Sequence, residues 1–206
     1  MIEKNILRVA VRDILLEYMM HNTIKPGQRI SLPQLSKALG VSATPLREAL
    51  TQLSETGLVT YIANRGFFVT ELQEQEALEI YELIALLEAQ AIRESHYTEK
   101  DLAELSLLNL QFKDAESSID KLSLDRQFHQ RLIQQYPNRY AKKIIEDIRI
   151  RVIVYELEFM TAYPVEASMQ MHAEMIEALR EHQPAKATQI LQENWAISKN
   201  HILNNL

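Results

Sequence analysis

Residues 31–69 read SLPQLSKALGVSATPLREALTQLSETGLVTYIANRGFFV, and this stretch decides the fold. Pro33 stands at the start of an amphipathic run, where its missing N–H removes no helical hydrogen bond, and Gly40 stands at the end of that run. Ser42 is a preferred residue before a helix, and Gly57 is a preferred residue after one. The stretch therefore predicts two short helices joined by a tight turn.

A hairpin follows the second of these helices. Residues 62–69 form two short apolar runs around a tip at 63–66, which contains asparagine and glycine. Apolar residues at helical spacing between residues 6 and 20 predict a further helix ahead of the quoted stretch. Three helices followed by a two-stranded ribbon are the order of a winged helix-turn-helix, which we assign to residues 1–72.

The charge of the chain is unevenly distributed. Its 206 residues include no cysteine, which excludes disulfide frameworks, thiolate zinc sites, iron–sulfur clusters and cysteine nucleophiles. Residues 1–72 hold 8 Lys/Arg and 6 Asp/Glu, a net charge of +2, whereas residues 73–206 hold 14 and 22, a net charge of −8. The overall charge of −6 therefore conceals a positive segment, and positive charge favours contact with DNA phosphates.

Residues 73–206 contain no glycine and are rich in Ala, Leu, Glu and Gln, which is typical of an all-α domain. Breaks in the pattern divide this domain into six helices. We place them at 75–95, 99–114, 119–134, 138–160, 165–181 and 185–204. The predicted fold class is mainly α, with an N-terminal winged helix-turn-helix and a C-terminal all-α helical bundle. No apolar run approaches the roughly 20 residues of a membrane span and no export signal is evident, so we expect a cytoplasmic protein without a membrane partner.

The second helix of the quoted stretch is the predicted recognition helix, because the first residues of such a helix reach base edges in the major groove. The candidate DNA-binding residues are Ser42, Thr44 and Arg47 on this helix and Asn64, Arg65 and Gly66 on the hairpin. Taken singly, Ser42 fits an ordinary N-cap. Arg47 fits a surface ion pair with Glu48 or Glu55. Their conjunction with a basic hairpin tip favours a DNA-binding surface.

The motifs around these residues closely resemble the GntR family of bacterial repressors. The matching segments are 24–30, 35–50, 57–59 and 64–69. The resemblance implies that the DNA-contacting positions of the family map onto Ser42, Thr44, Arg47, Arg65 and Gly66. The family usually has an arginine after the capping serine, and Ala43 stands there in this chain. We therefore expect an operator that differs from the common site of the family.

The second domain resembles the helical ligand-binding domain of the FadR subfamily, known as FCD. The matching segments are 124–129, 171–176 and 187–195. The resemblance implies a divalent metal, zinc or nickel, held by Asp125, His129 and His172. Asp125 and His129 are four residues apart on one helix face and can hold one cation together. Spacing alone instead favours a buried hydrogen-bonded pair and a core histidine.

Two departures from the FCD pattern bear on the ligand. Relatives carry a histidine on the last helix where this chain has Asn194, and a neutral amide oxygen is a weak ligand for zinc or nickel. Relatives often carry an arginine that pairs with a carboxylate effector where this chain has Ile84. We therefore expect a more apolar effector, or one held through the metal, in a pocket that includes Ile84, Tyr155 and Asn194.

The sequence as a whole predicts a homodimeric transcriptional regulator, a repressor, that binds an inverted-repeat operator in double-stranded DNA and responds to a small-molecule effector. A dimer is expected because one recognition helix reads only a few base pairs. We do not expect an enzyme. The alternatives are a metal-dependent helical-bundle enzyme, for which the usual catalytic motifs are absent, and a helical protein-binding module, which would leave Arg47 and Arg65 unexplained.

Overall fold

The computed structural model describes residues 2–21, 23–159 and 165–206. Its N-terminal part, which we call the head, has three helices and a hairpin. These elements are α1 (Ile2–Met20), α2 (Leu32–Leu39), α3 (Ala43–Ser54), β1 (Val59–Ile62) and β2 (Gly66–Val69). The order confirms the predicted winged helix-turn-helix, in which α3 is the recognition helix.

The turns of the head follow from the residues that the sequence supplies. The Ser31 hydroxyl accepts a hydrogen bond from the Gln34 amide (3.3 Å) and caps α2, and Gly40 ends α2 in the left-handed region at φ 65°. Ser42 is the residue before α3, but its side chain makes no capping hydrogen bond. Ser42 is therefore an N-cap by position only, and its exposed hydroxyl is available to another molecule.

A third segment widens the hairpin into a wing. β1 and β2 pair in antiparallel fashion. On the far side of β2, the Ile30 amide donates a hydrogen bond to the Phe67 carbonyl (2.8 Å). The Val69 amide donates one to the Gln28 carbonyl (2.9 Å). Arg29 lies between these two hydrogen bonds, opposite β2, and so belongs to the wing.

The rest of the chain, which we call the body, is a helical bundle as predicted. Its helices are α4 (Glu74–Glu94), α5 (Glu99–Asp114), α6 (Ser118–Leu132), α7 (Arg139–Glu158), α8 (Val165–Arg180) and α9 (Pro184–Leu203). Their ends lie within two residues of the predicted positions, except that the predicted end at residue 160 lies outside the described residues. Buried apolar side chains from all of these helices form one core. No helix in the described ranges is long and apolar enough to cross a membrane.

The helix α7 contributes to the cores of both parts. Three of its residues pack among the buried apolar side chains of the head: Ile153, Val154 and Leu157. Nearby, the Arg151 guanidinium donates a hydrogen bond to Glu76 (2.9 Å), and the Tyr155 hydroxyl contacts the same carboxylate (2.6 Å). Because Glu76 lies in the first turn of α4, these contacts tie α7 to the segment that joins head and body. The position of the head therefore depends on α7.

Candidate DNA interface and metal centre

The first turn of α3 presents its polar side chains to solvent. Ser42, Thr44 and Arg47 are all exposed. Among the residues that the structure describes, Arg47 makes no ion pair, so the expected alternative partners Glu48 and Glu55 do not hold its guanidinium. An exposed helix N-terminus with hydroxyls and an unpaired guanidinium can contact phosphates and base edges.

The wing presents a second polar surface. Asn64 and Gly66 have φ angles of 61° and 99°, in the left-handed region that makes the tight turn between β1 and β2. Arg65 is exposed at this turn, and its guanidinium carbon lies 5.2 Å from the centre of the Phe68 ring. Stacking on Phe68 restricts this cation to the face of the wing. The three predicted wing residues thus lie together at the tip, where Asn64 and Arg65 are exposed.

Arg29 is a residue of this surface that sequence reasoning missed. Its guanidinium nitrogens lie 3.7 Å from where a Cβ atom on Gly66 would stand. Arg29, Arg47 and Gly66 line one groove of about 360 Å³ between the wing and α3. The groove therefore has a cation on each side. Arg29 belongs to the family-like segment 24–30, so part of the signal was in the sequence. Only the structure shows that Arg29 lines a groove together with Arg47 of the recognition helix.

The predicted metal ligands come together in the body. Asp125 and His129 lie on α6 and His172 lies on α8, and all three are buried. Each of the three side chains has one potential ligand atom, and these three atoms lie within 4.8 Å of one another. The His172 Nε2 atom is 3.5 Å from an Asp125 oxygen, and the His129 Nε2 atom is 3.9 Å from the other. Asp125 and His172, which are 47 positions apart in the sequence, thus belong to one buried centre.

The orientation of His129 is fixed by a carboxylate behind it. The Glu88 Oε2 atom lies 2.8 Å from His129 Nδ1 and accepts a hydrogen bond from Trp195 Nε1 (2.9 Å), while Arg149 pairs with the other oxygen. Burial raises the pKa of Glu88, but the charges of Arg149 and His129 and their hydrogen bonds outweigh burial and lower it to about 2. Glu88 accepts a hydrogen bond from His129 Nδ1, which leaves His129 Nε2 directed towards Asp125.

His172 lacks the hydrogen bonds that a buried imidazole usually makes. It is completely buried, and neither of its ring nitrogens has a hydrogen-bond partner among the described residues. Burial lowers the pKa of His172 well below its usual value, and the charge of His129 adds to this effect. Its ring stacks on Phe128 with centroids 3.8 Å apart. A neutral, fixed imidazole with an unused lone pair fits a metal ligand and does not fit a satisfied core histidine.

Asn194 lies next to these ligands but supports them indirectly. Its amide nitrogen donates a hydrogen bond to the Ser168 hydroxyl (2.9 Å), which lies 3.4 Å from an Asp125 oxygen and donates to it. Both side chains are buried. Burial raises the pKa of Asp125, and the charge of His129 and the Ser168 hydrogen bond act in the opposite direction. Asn194 therefore helps to position the carboxylate.

The predicted effector pocket is not brought together as expected. Ile84 lies in the apolar core of the body, one turn before Glu88 on α4. The Tyr155 hydroxyl donates a hydrogen bond to the Gln73 carbonyl (2.9 Å), which places it at the junction of head and body instead of in the pocket. The cavity that borders Asp125 has a volume of about 30 Å³. This is room for an ion or one water molecule.

Glu88 is the most important residue of this centre that was not predicted from the sequence. A sequence signal existed, because Glu88 falls on the buried face of α4, one turn after Ile84 and two turns after Tyr81. A glutamate at a core position calls for a buried partner. Its partners His129 and Arg149 are 41 and 61 residues away, however, and sequence spacing does not identify them.

Comparison with known proteins places both parts of the chain in described families. The model of bacterial regulatory proteins of the gntR family matches residues 7–69, and the model of the FCD domain matches residues 79–196. The chain is 37% identical over 132 residues to the Nta operon transcriptional regulator of Aminobacter aminovorans, a match that covers 62% of this chain and 63% of that protein. The chain therefore spans less than two thirds of this relative's length.

Two further similarities extend over most of the chain. It is 26% identical over 189 residues to the HTH-type transcriptional repressor GlaR of Escherichia coli (strain K12), covering 85% of this chain and 86% of that protein. The crystal structure of a GntR regulator from Rhodococcus sp. RHA1 superposes with a TM-score of 0.82 at 22% identity, covering 97% of this chain and 98% of that one. The latter similarity concerns the fold alone. The chain belongs to the GntR family of bacterial regulatory proteins, with an FCD domain as its body.

Proposed function

We propose that this protein is a transcriptional repressor whose head binds an operator in double-stranded DNA. The observation that carries the proposal is the groove between α3 and the wing, which both Arg29 and Arg47 line, together with the exposed Ser42 and Thr44 in the first turn of α3. The recognition helix would lie in the major groove with Arg47 towards base edges, and Arg65 at the wing tip would contact the neighbouring backbone or minor groove.

The proposal includes a homodimer on an inverted repeat. One recognition helix contacts too few base pairs for specific binding, and a twofold dimer doubles the contacted sequence. The body has large apolar side chains at its surface that a second copy would cover. Those on α4 and α5 are Leu83, Leu86, Leu107 and Leu110. Sedimentation equilibrium measures the mass in solution, and a monomer at micromolar concentration would contradict this part.

The regulatory ligand is proposed to bind in the body through a divalent cation. Asp125, His129 and His172 fit such an ion, because they offer one carboxylate and two imidazoles whose ligand atoms lie within 4.8 Å of one another. Glu88 orients His129, and Ser168 and Asn194 orient Asp125. The ion would supply positive charge and open coordination positions to a small-molecule effector. The small cavity beside Asp125 favours an effector held by the ion over one held by apolar contacts.

The helix α7 is the proposed connection between ligand and DNA. Its Arg149 pairs with Glu88 behind the metal centre, and its residues Val154 and Leu157 pack in the core of the head. A ligand that favours one position of α7 therefore favours one position of the head. Such regulation requires that the ligand bind the two arrangements with different affinities.

The experiment is a fluorescence anisotropy titration of the full-length protein against labelled DNA from upstream of its own gene. We expect affinity that falls steeply with salt, because phosphate contacts release counterions. Arg47→Ala should weaken binding by about 5- to 150-fold, the equivalent of about 1–3 kcal/mol for a specific base contact. Arg29→Ala should weaken it more uniformly across sequences and lower the salt dependence.

The matched control is Arg93→Ala, which removes an exposed arginine from α4 in the body. It should bind DNA as the wild type does. Salt-insensitive binding, or an Arg47→Ala protein as active as the Arg93→Ala protein, would contradict the proposed function of the head.

A further inference from the structure

A cavity of about 370 Å³ lies where the head meets the body. Its walls come from α1 of the head and from α6 and α7 of the body. Each helix contributes one arginine to it, and these are Arg12, Arg126 and Arg149. This junction cavity shares no lining residue with the small cavity beside Asp125. It is therefore distinct from the metal centre, although Arg149 also pairs with Glu88 behind that centre.

Arg126 is the arginine of the junction cavity that has no anionic partner. Arg12 pairs with Asp13 (2.7 Å), and Arg149 pairs with Glu88. Within the described ranges, the Arg126 side chain makes no ion pair and no hydrogen bond. Partial burial lowers the pKa of Arg126, and the charges of Arg12 and Arg149 lower it further. The charge of Asp13 acts in the opposite direction. A bound anion would offset this repulsion between like charges.

One acidic residue, Glu146, also lines the junction cavity, but it lies at the end away from Arg126. A neighbouring cavity of about 410 Å³ shares Gln130, Glu146 and Arg149 with it, whereas Arg126 does not line that neighbour. Lys142 does line it, one turn before Glu146 on α7. Among the residues that the structure describes, Glu146 makes no ion pair with Arg126. The end of the junction cavity at Arg126 is therefore open to another anion.

A mainly apolar cavity adjoins the end at Arg126. It has a volume of about 200 Å³ and shares Leu16, Arg126 and Ile153 with the junction cavity. The side chains that line the rest of it are Ile119, Asp120, Leu122, Ser123 and Leu157. Asp120 accepts a hydrogen bond from the Ser117 hydroxyl (2.6 Å) in the cap of α6. The Arg126 guanidinium thus lies between a space lined by cations and a space lined mostly by apolar side chains.

We propose that the junction cavity binds an organic monoanion whose single oxyanion group is joined to an apolar group of a few carbon atoms. Arg126 and Arg12 bind the oxyanion, since a guanidinium can donate two parallel hydrogen bonds to such a group. The apolar group lies in the adjoining cavity beside Leu16 and Leu122, where it leaves water. The ligand contacts α1, α6 and α7 at once and so connects head and body. This second ligand site goes beyond the proposed function and requires neither the metal nor DNA.

The test is calorimetric titration of sodium hexanoate into the full-length protein in the presence of a chelator and in the absence of DNA. Hexanoate should bind at least about tenfold more tightly than acetate, because its four additional methylene groups leave water. It should also bind at least about tenfold more tightly than hexan-1-ol, which has the apolar group without the charge. No binding of hexanoate, or equal binding of hexanoate and hexan-1-ol, would overturn the proposal.

Variants locate the bound hexanoate. Arg126→Gln should weaken its binding about tenfold, and Arg12→Gln should weaken it about threefold, because each removes a cation from the oxyanion. Glu146→Gln should bind hexanoate at least as tightly as the wild type, because it removes an opposing charge. The matched control is Arg93→Gln, which removes an exposed arginine from α4 and should stay within about twofold of the wild type.

Asp125→Asn separates this site from the metal centre. It should bind hexanoate as the wild type does, and loss of binding would place the ligand at the metal centre and overturn the proposal. An Arg126→Gln protein with the affinity of Arg93→Gln would also overturn it. An unchanged affinity in Arg12→Gln would contradict the contact with the head. Far-UV circular dichroism of each variant checks that it is folded.

Discussion

The head and the body place their polar residues in opposite environments. The head carries exposed groups such as Arg47 and Arg65 on a small apolar core, whereas the body buries Glu88, Asp125 and Glu156 inside a helical bundle. Exposed groups contribute little to stability and are available for DNA. Buried ionisable groups destabilise the fold unless they are paired or bound. We infer that changes in the head affect DNA binding and changes in the body affect stability and ligand binding.

The largest effect that separates the two regions is expected at Glu88. Glu88→Gln removes the charge that pairs with Arg149 and orients His129, so a buried guanidinium loses its anion. Loss of one partner of a buried ion pair destabilises a protein by about 3–5 kcal/mol. Urea unfolding measures this change in the free energy of unfolding. Glu79→Gln on the exposed side of α4 is the control and should change it by less than about 0.5 kcal/mol.

A change below about 1 kcal/mol for Glu88→Gln, close to that of Glu79→Gln, would show that the cluster of Glu88, Arg149 and His129 does not hold the body together. The buried polar groups of the body would then not stabilise the fold, and the proposed contrast with the functional surface of the head would be wrong.

A smaller effect is expected from pH in the metal-free protein. Because burial raises the pKa of Glu156, the folded state keeps a proton that the unfolded state releases. The contribution of Glu156 to stability is fully present below its pKa in the unfolded state, about 4.3, and is lost as the pH rises through its pKa in the folded state. Glu156→Gln has no carboxyl group to ionise, so it does not lose stability in this way as the pH rises. It should be more stable than the wild type by roughly 1–3 kcal/mol at pH 8 and by less at pH 5.

Thermal unfolding of both proteins at the two pH values measures this difference. Comparing the variant with the wild type cancels the contribution of His172, whose lowered pKa acts in the opposite direction. A difference that is constant with pH would mean that Glu156 is not buried and unpaired in the metal-free state.

The smallest effect distinguishes two serines of the head. Ser31 caps α2 with its side chain, so Ser31→Ala should lower the free energy of unfolding by about 1 kcal/mol. Ser42 makes no such bond, so Ser42→Ala should change stability by less than about 0.5 kcal/mol while weakening DNA binding. Denaturant unfolding and anisotropy are measured on each variant. The reverse pattern would make Ser42 a structural cap.

The local parts of this structure could be predicted from the sequence. Turn residues such as Gly40 and the helical periodicity gave both the winged helix-turn-helix and the helices of the body. The spacing of Asp125 and His129 likewise indicated a shared helix face. Such features depend on residues that are near one another in the chain.

The remaining parts of the site depend on packing between distant segments. Arg29 lines a groove with Arg47 because its segment pairs with β2. Glu156 reaches the cavity of Asp125 because α7 packs beside α6. By sequence Ser42 fits an N-cap of α3, but its side chain makes no capping hydrogen bond, and no residue pattern shows which way a serine hydroxyl turns. The sequence predicts Tyr155 in the effector pocket, but in the structure its hydroxyl donates a hydrogen bond to the Gln73 carbonyl.

The most direct test of the central claim measures DNA affinity with and without the cation. We propose that the metal centre in the body acts on the head through α7, so anisotropy titrations in Mn²⁺ and in chelator should give affinities that differ by at least about fivefold. Asp125→Asn should show no difference between the two conditions. Equal affinities for the wild type in both conditions, with Mn²⁺ binding confirmed by calorimetry, would contradict the proposed connection between body and head.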